Sequence, residues 1–400
     1  MAWSYKSQKG LNVMQKQMMD KLFRGMKTLP YQVRYWDGSS VTYGHGEPRF
    51  TLVFKEQISL LKWLQSPVLA FGEAYMDGAV DIEGKIADVI ALASGSGALN
   101  GKRVPALLRR GVSMLKEKEN VQHHYDVGND FYALWLDETM SYSCAYFRFP
   151  EDSLEQAQLQ KIDHVLKKLQ LRPGEKLLDI GSGWGGLIIR AAKEYGVKAK
   201  GITLSEEQFK KSRERIAEHG LRGRVEVELL DYRQLAATGE EFDKIASVGM
   251  FEHVGQQHHP VFMKAVQTLL KDGGLALLHT ITQAKEVPTD PWIQKYIFPG
   301  GYVPSLREVV ALLPDFGFQL LDIENLRSHY ALTLDHWVSR YENSAEKARR
   351  MFDERFVRMW RLYLQSSAAS FHLGNLHLHQ ILFSNGITDG AALTREHLYR

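Results

Sequence analysis

Residues 13–28, VMQKQMMDKLFRGMKT, place Met14, Met18, Leu22 and Met26 four apart, with Met19 and Phe23 beside them. Lys16, Lys21, Arg24 and Lys27 fall mostly off that stripe, so the segment reads as a basic amphipathic helix. Such a helix can lie on a lipid interface or pack on its own domain. Alternation of period two follows at 31–36 (YQVRYW), 41–43 (VTY) and 49–55 (RFTLVFK), with Asp37-Gly38 as a turn between the first two. Helices are predicted near 56–65 and 85–94. The small, polar, Gly-rich run ASGSGALNGKRVP (93–105) marks a boundary.

The pattern changes after residue 120. Ser153 with Gln156 three residues on reads as a capping box, and Leu154, Ile162, Val165, Leu166 and Leu169 recur at helical spacing behind it. Strands at 175–181, 197–204, 224–231, 242–249 and 273–282 then alternate with helices at 185–196 and 205–219. That alternation predicts an α/β fold with a doubly wound, Rossmann-like parallel sheet, preceded by a smaller α+β domain. The expected units are 1–105, a basic linker at 106–120, and 121–400. Residues 344–371 read as one long helix with Phe352, Phe356, Trp360 and Tyr363 on one face.

Composition narrows the class. In 400 residues, 44% hydrophobic and 24% charged, the chain has the make-up of a globular protein of two or three domains. No run of about 18 apolar residues occurs, so no helical membrane span is expected. The first twenty residues lack the apolar core of a secretory signal. A single cysteine, Cys144, excludes an intramolecular disulfide and a thiolate cluster, which fits a reducing cytoplasm. The net charge of +3 is too small to argue for nucleic acid. It conceals an asymmetry, however: residues 1–120 carry a balance of +6 and the remainder −3. Anionic lipid headgroups or a solvated basic face both account for that excess.

The most informative local string is LLDIGSGWGG, 177–186: an apolar strand ending in Asp179, then Gly181, Gly183, Gly185 and Gly186 before a helix. Glycines there allow a sharp turn and close approach of a ligand. Dinucleotide and S-adenosylmethionine sites both use such a turn. A dinucleotide site usually has an acid about 20 residues on, for the ribose. Here that region is Lys200-Gly201-Ile202-Thr203-Leu204, without a carboxylate, which favours the methyl donor.

Eight strings in order carry a more specific signal: HYDVGNDFYALWLD (124–137), YSCAYF (142–147), LLDIGSGWGG, GITLSEEQ (201–208), DYR (231–233), VGMFEHVG (248–255), LLHTI (277–281) and IFPGGYVPS (297–305). Together they resemble the cyclopropane-fatty-acid synthase family, which includes mycolic acid cyclopropane synthases. The resemblance covers about 121–400 and extends to AFGEAYMDGAVDIEG (70–84) in the N-terminal unit. It implies a class I methyltransferase fold and an S-adenosylmethionine site. In that site Gly181 and Gly183 lie toward the amino-acid part, Thr203 and Gln208 toward the ribose, and Asp231 and Tyr232 toward the adenine, with Tyr142 and Ser143 closing it; Asp179, preceding the turn, is a further cofactor-binding position.

The resemblance further implies transfer of a methylene to the cis double bond of an unsaturated phospholipid acyl chain, forming a cyclopropane ring. A bound bicarbonate would act as base, held by the Cys144 and Ile281 backbone N–H groups, Glu252, His279 and Tyr330. Backbone amides, an imidazole and a phenol can donate to a small anion, and a carboxyl can orient its hydroxyl. Tyr125 and Tyr330 would face the carbocation. Also implied are peripheral association with the inner face of the membrane and a homodimer. Ser367 stands where many members have cysteine, and no catalytic role is assigned to it.

Two rival readings remain. Plant amine N-methyltransferases share YSCAYF-like and FEH-like motifs, which leaves a small amine as an alternative acceptor. A catalytically silent lipid-binding protein could retain the same fold. No metal is expected: His377 and His379 would share a strand face, but no acid or cysteine joins them at ligand spacing.

Overall fold

The computed structural model describes residues 15–96, 127–388 and 392–399. The linker 106–120, the boundary run beyond residue 96, and Tyr125 lie outside the described residues.

Four short strands form the N-terminal sheet: β1 (Tyr31–Arg34), β2 (Ser40–Tyr43), β3 (Thr51–Phe54) and β4 (Val80–Glu83), in the order β2-β1-β3-β4. The β1–β2 and β3–β4 pairs are antiparallel, whereas β1 and β3 run parallel. Alternation buries Tyr31 and Val33 on one face of β1, with Leu52 and Phe54 on the same side of β3. The helix over 15–24 lies on that face. Its buried contacts are Met19 and Phe23, with Phe23 against the rings of Tyr31, Phe54 and Trp63, while Met18, Leu22 and Met26 are half-buried. Leu22 and Met26 of the predicted stripe pack against this core only partly buried, and Met14 lies outside the described residues. The Phe23 ring packs on the buried face of the sheet.

The sequence pattern did not predict the helix Pro67–Met76 or strand β4, which follow the short helix Leu60–Gln65. Ser66 caps the second helix through Leu69 N–H, and Pro67 occupies its first turn. Gly72 in this helix lies against the Trp292 ring, and a Cβ there would come within 2.3 Å of Trp292 Cδ1. Trp292 in turn donates through Nε1 to Met76 Sδ at 3.2 Å. Gly72→Ala should therefore cost about 1–3 kcal/mol by overpacking. Chemical denaturation would show it as a lowered midpoint, and a midpoint unchanged from the parent would refute this packing.

The larger sheet contains β5 (Lys176–Ile180), β6 (Lys198–Thr203), β7 (Val225–Leu229), β8 (Phe242–Val248), β9 (Leu270–Gln283), β10 (Phe318–Asn325) and β11 (Leu376–Asn385). Their order is β10-β11-β9-β8-β5-β6-β7. The five strands from β9 to β7 run parallel, and β10-β11-β9 is antiparallel. The order reverses between β5 and β8, which opens a crevice at the carboxyl ends of those strands. Every predicted strand of this unit is present. The Ser153 cap is present too, through Gln156 N–H at 3.2 Å, but without the reciprocal half of a capping box.

One expectation is corrected. Residues 344–371 form two helices, Ala345–Met351 and Glu354–His372, not one. Phe352 leaves the helical region, Asp353 is extended, and the Asp353 side chain accepts from Phe356 N–H, so a new N-cap breaks the run. The second of these helices joins the two units. Arg358 lies over the Tyr75 ring at 4.1 Å, pairs with Asp81, and donates to the carbonyls of Tyr75 and Val80.

Candidate active site

A cleft opens where β5, β6 and β7 end. Its lining includes Tyr142, Ser143, Asp179, Gly181, Gly183, Thr203, Gln208, Asp231 and Tyr232, all nine positions read from the sequence as cofactor contacts. The turn after β5 is fastened to the neighbouring strand: Gly181 and Ser182 both donate N–H to Ile202 O, at 3.0 and 2.9 Å. Thr203 at the end of β6 donates to Gln208 Oε1 at 2.8 Å, which sets a neutral polar pair where a dinucleotide site has an acid. Asp231 caps the helix Tyr232–Ala236 and is gripped by the Arg233 guanidinium at 2.7 Å.

Several lining groups are buried with polar atoms unspent. Asp179 Oδ1 and Ser182 Oγ have no hydrogen-bond partner within the protein. Burial raises the Asp179 carboxyl to about 7, opposed by the nearby Lys161 ammonium. These orphaned atoms and the glycine turn fit the polar end of S-adenosylmethionine.

The residues expected to hold an anion do not line that cleft. They stand directly behind its wall, since Ser143, Gly249 and His253 of the lining adjoin them. Ser143 precedes Cys144, His253 follows Glu252, and Gly249 N–H donates to His279 O at 2.9 Å. Glu252 sits in the short helix Phe251–Val254 after β8, and its Oε1 accepts from Ile281 N–H on β9 at 2.5 Å. The Ile281 amide is thus engaged by Glu252 and not open to an anion. Glu252 Oε2 is buried without a partner, and burial raises this carboxyl to about 7 despite the Ile281 bond.

His279, fully buried on β9, shares a strand face with Ile281 two residues on. Its Nδ1 meets Gln380 Nε2 at 3.1 Å, and its Nε2 has no partner. Burial, with Lys161 and Lys168 in range, keeps the ring neutral. Where Gln380 Nε2 donates to Nδ1, the neutral ring carries its proton on Nε2. Glu252 Oε2 and His279 Nε2 are thus each buried without a protein partner.

Tyr330 and Cys144 complete the neighbourhood. The first turns of the helix Arg327–Asn343 are tied to the 142–147 segment, with Ala145 N–H on Thr333 Oγ1 at 3.0 Å and Phe147 N–H on His329 Nδ1 at 3.1 Å. This places Tyr330, Cys144 and Ile281 in one apolar cluster, with the Tyr330 ring 4.5 Å from that of Phe371. The Cys144 thiol donates to Ala145 O at 3.2 Å and burial pushes its pKa up, so it is no nucleophile.

Aromatic rings pack around Tyr142, which lines the cleft. Tyr142 stands 5.2 Å from Trp135 and 5.3 Å from Trp337, and its hydroxyl meets that of Tyr363 at 2.6 Å. Phe298 links Tyr363 to His253. Trp360 and Tyr363 of the predicted stripe belong to this cluster, whereas Phe352 is 36% exposed. Residues 113–381 match the family model for mycolic acid cyclopropane synthetase. The chain belongs to that family.

As a member of the mycolic acid cyclopropane synthetase family it is an S-adenosylmethionine-dependent methyltransferase. A second model, a domain of unknown function, matches residues 18–98. A "Probable fatty acid methyltransferase" of Pseudomonas putida is 41% identical over 387 residues, 93% of this chain and 97% of the relative. The "Cyclopropane-fatty-acyl-phospholipid synthase" of Escherichia coli is 42% identical over 275 residues, 68% of this chain and 70% of the relative. Among solved structures, the cyclopropane synthase MmaA2 from Mycobacterium tuberculosis superposes with a TM-score of 0.64 at 35% identity, covering 67% of this chain and 98% of that one.

Sequence reasoning missed Lys161, Gln158 and Gln380. Gln158 Nε2 donates to Ser143 O at 2.9 Å and so holds the 142–143 segment over the cleft. A signal existed for two of them: Gln158 and Lys161 interrupt the apolar stripe of the helix Leu154–Lys168 at helical spacing. Polar groups on a buried face point to a shared polar target. Gln380 gave none, because only sheet register puts it opposite His279. His377 and His379 do share a face, with rings 6.0 Å apart, but their Nδ1 atoms are taken up by Asn325 and Thr282.

Proposed function

We propose that this methyltransferase transfers a methylene group from S-adenosylmethionine to the cis double bond of an unsaturated phospholipid acyl chain, forming a cyclopropane ring. The observation that carries the proposal is that Glu252 Oε2 and His279 Nε2 are each buried without a protein partner. An amine acceptor has no need of a second buried oxyanion site, because it loses its own proton to solvent. The two curated relatives act in name on fatty acyl chains, and the shared sequence supports the same acceptor class here.

S-adenosylmethionine, when bound, supplies an electrophilic methyl group, and bicarbonate, when bound, supplies a base for the proton lost in ring closure. The protein's own contributions are positional. Tyr142, Tyr363, Trp337 and Tyr330 present π faces that favour positive charge developing on the acyl chain. The apolar wall excludes water that would otherwise trap that charge. His279 donates from Nε2 to an oxyanion, while the Glu252 carboxyl orients the anion's hydroxyl and keeps its other oxygen on Ile281 N–H. The Cys144 amide and the Tyr330 hydroxyl are proposed as further donors.

We further propose that the protein meets the membrane from the side, through its N-terminal unit. No helix among the described residues is long and apolar enough to cross a membrane. Leu61 and Leu64 expose 66% and 62% of their surface on one short helix, as an interfacial contact requires.

The decisive experiment incubates the protein with S-adenosylmethionine and vesicles of monounsaturated phospholipid. Each double bond consumed should add one CH2 unit to the lipid mass, with loss of the alkene protons from the NMR spectrum. An unchanged lipid, together with methylation of a small amine, would overturn the proposal.

A further inference from the structure

The segment 142–147 brings Tyr142 and Ser143 to the cofactor cleft, yet it is neither helix nor strand. Its backbone donors must therefore be matched one at a time. Tyr146 N–H donates to Ala157 O at 3.0 Å. Ala145 and Phe147 turn the other way, to Thr333 Oγ1 and His329 Nδ1. Those two side chains lie four apart on the helix Arg327–Asn343 and so share a face. Thr333 Oγ1 spends its own proton on His329 O at 2.7 Å.

The Phe147 bond fixes the state of His329. A backbone N–H can only donate, so Nδ1 must be a bare acceptor, and the neutral ring keeps its proton on Nε2. A proton on Nδ1 would set two donors head to head, and Phe147 is buried, where an unpaired amide is costly. The surroundings hold the ring neutral. Tyr146 is sandwiched between His329 and His164, with ring centroids 4.7 and 4.1 Å away. His164 and Lys168, both buried, converge on Glu324 of β10 at 2.6 and 2.5 Å. Burial lowers His329 below the ordinary 6.5, opposed by Glu324 and reinforced by His164. Arg148 and Tyr399 are the further titratable groups around Tyr146.

We propose that His329 is a positioning residue that works as an acid-released latch. Neutral, it pins Phe147 N–H and with it the segment that carries Tyr142 and Ser143 into the cofactor cleft; protonated, it releases that segment. The Tyr146 stack packs the segment but supplies no acceptor, so the hold that changes with pH is the Nδ1 bond. The inference rests on the cofactor assignment and stands whether or not the acceptor is a lipid.

The test is amide hydrogen exchange of the peptide spanning 142–147, read by mass spectrometry and corrected for the intrinsic pH dependence of exchange. In the unaltered protein, protection should fall about tenfold between pH 7.5 and pH 5, the order expected for one lost hydrogen bond. His329→Asn sets an amide oxygen near the position of Nδ1 and takes up no proton, so it should match the parent at pH 7.5 and keep its protection at pH 5. His329→Leu offers no acceptor and should be about tenfold less protected at both values. Calorimetry with S-adenosylhomocysteine should follow the same order, with a smaller loss of affinity in acid for His329→Asn than for the parent. Asp179, raised to about 7, titrates in that window too, but in both proteins alike, so their difference isolates His329. Undiminished protection of the unaltered protein at pH 5 overturns the proposal, and that arm depends on no variant folding. So does a His329→Asn protein that exchanges as fast as His329→Leu, which would assign the hold to the ring stack, or one whose protection falls in acid as steeply as the parent's.

Discussion

Glu252→Gln is expected to lower turnover by at least about a thousandfold while S-adenosylhomocysteine binds as before, because loss of a group acting only in the transition state reduces kcat and not ground-state affinity. Glutamine keeps an acceptor for Ile281 N–H, so the local backbone should hold. What it loses is the carboxyl oxygen that is buried without a partner beside the cofactor wall. Lipid mass spectrometry for turnover and calorimetry for the cofactor separate the two effects. Turnover near the parent rate would remove Glu252 from the chemistry.

The same substitution should stabilise the unliganded protein in alkali. Burial raises the Glu252 carboxyl from 4.5 to about 7. Between those values the native protein holds a proton that the unfolded chain has released, so this group's contribution is greatest below pH 4.5 and is lost as pH rises through 7. Above pH 7 the native state carries a buried carboxylate, at a cost of about 3 kcal/mol. Glu252→Gln should therefore unfold at a higher urea concentration than the parent at pH 8. An equal or lower midpoint there would show that the carboxylate is already compensated.

Gly181→Ala should have the second largest effect, a loss of cofactor affinity of at least about thirtyfold with a fall in stability. Gly181 holds φ at +85°, where an L-residue pays about 1–2 kcal/mol. Its new Cβ would also lie 2.7 Å from Met250 Cγ and 2.8 Å from Met250 Cβ. Met250 lines the cleft, so relieving that clash moves a wall of the cofactor site. Gly183 provides the control, since it has φ of +53° and nothing within 4 Å of an added Cβ. Gly183→Ala should show the conformational cost without the clash, and a smaller drop in denaturation midpoint. Equal drops in the two variants would mean that Met250 yields freely.

The sequence alone determined the alternation of strands and helices in the large unit, because each strand is a short apolar run bounded by turn residues. It also picked out positions that line the cleft, because they fall at strand ends where the fold leaves a crevice: Asp179 near the end of β5, Thr203 at the end of β6, Asp231 after β7. The ordered motifs placed the chain in its family for the same reason.

Other features were decided only by tertiary structure. That Met19 and Phe23 are buried while Met18, Leu22 and Met26 are half-buried depended on where the sheet meets the first helix, and the break at Phe352–Asp353 depended on a cap that helical periodicity does not register. The antiparallel edge β10-β11-β9 sets Gln380 opposite His279, a pairing of residues 101 apart in the chain that no local pattern encodes. Likewise the Ile281 amide, available in principle to an anion, proved to be engaged by Glu252. Hydrogen-bond partners across strands follow from register and burial, and both arise only when distant segments meet.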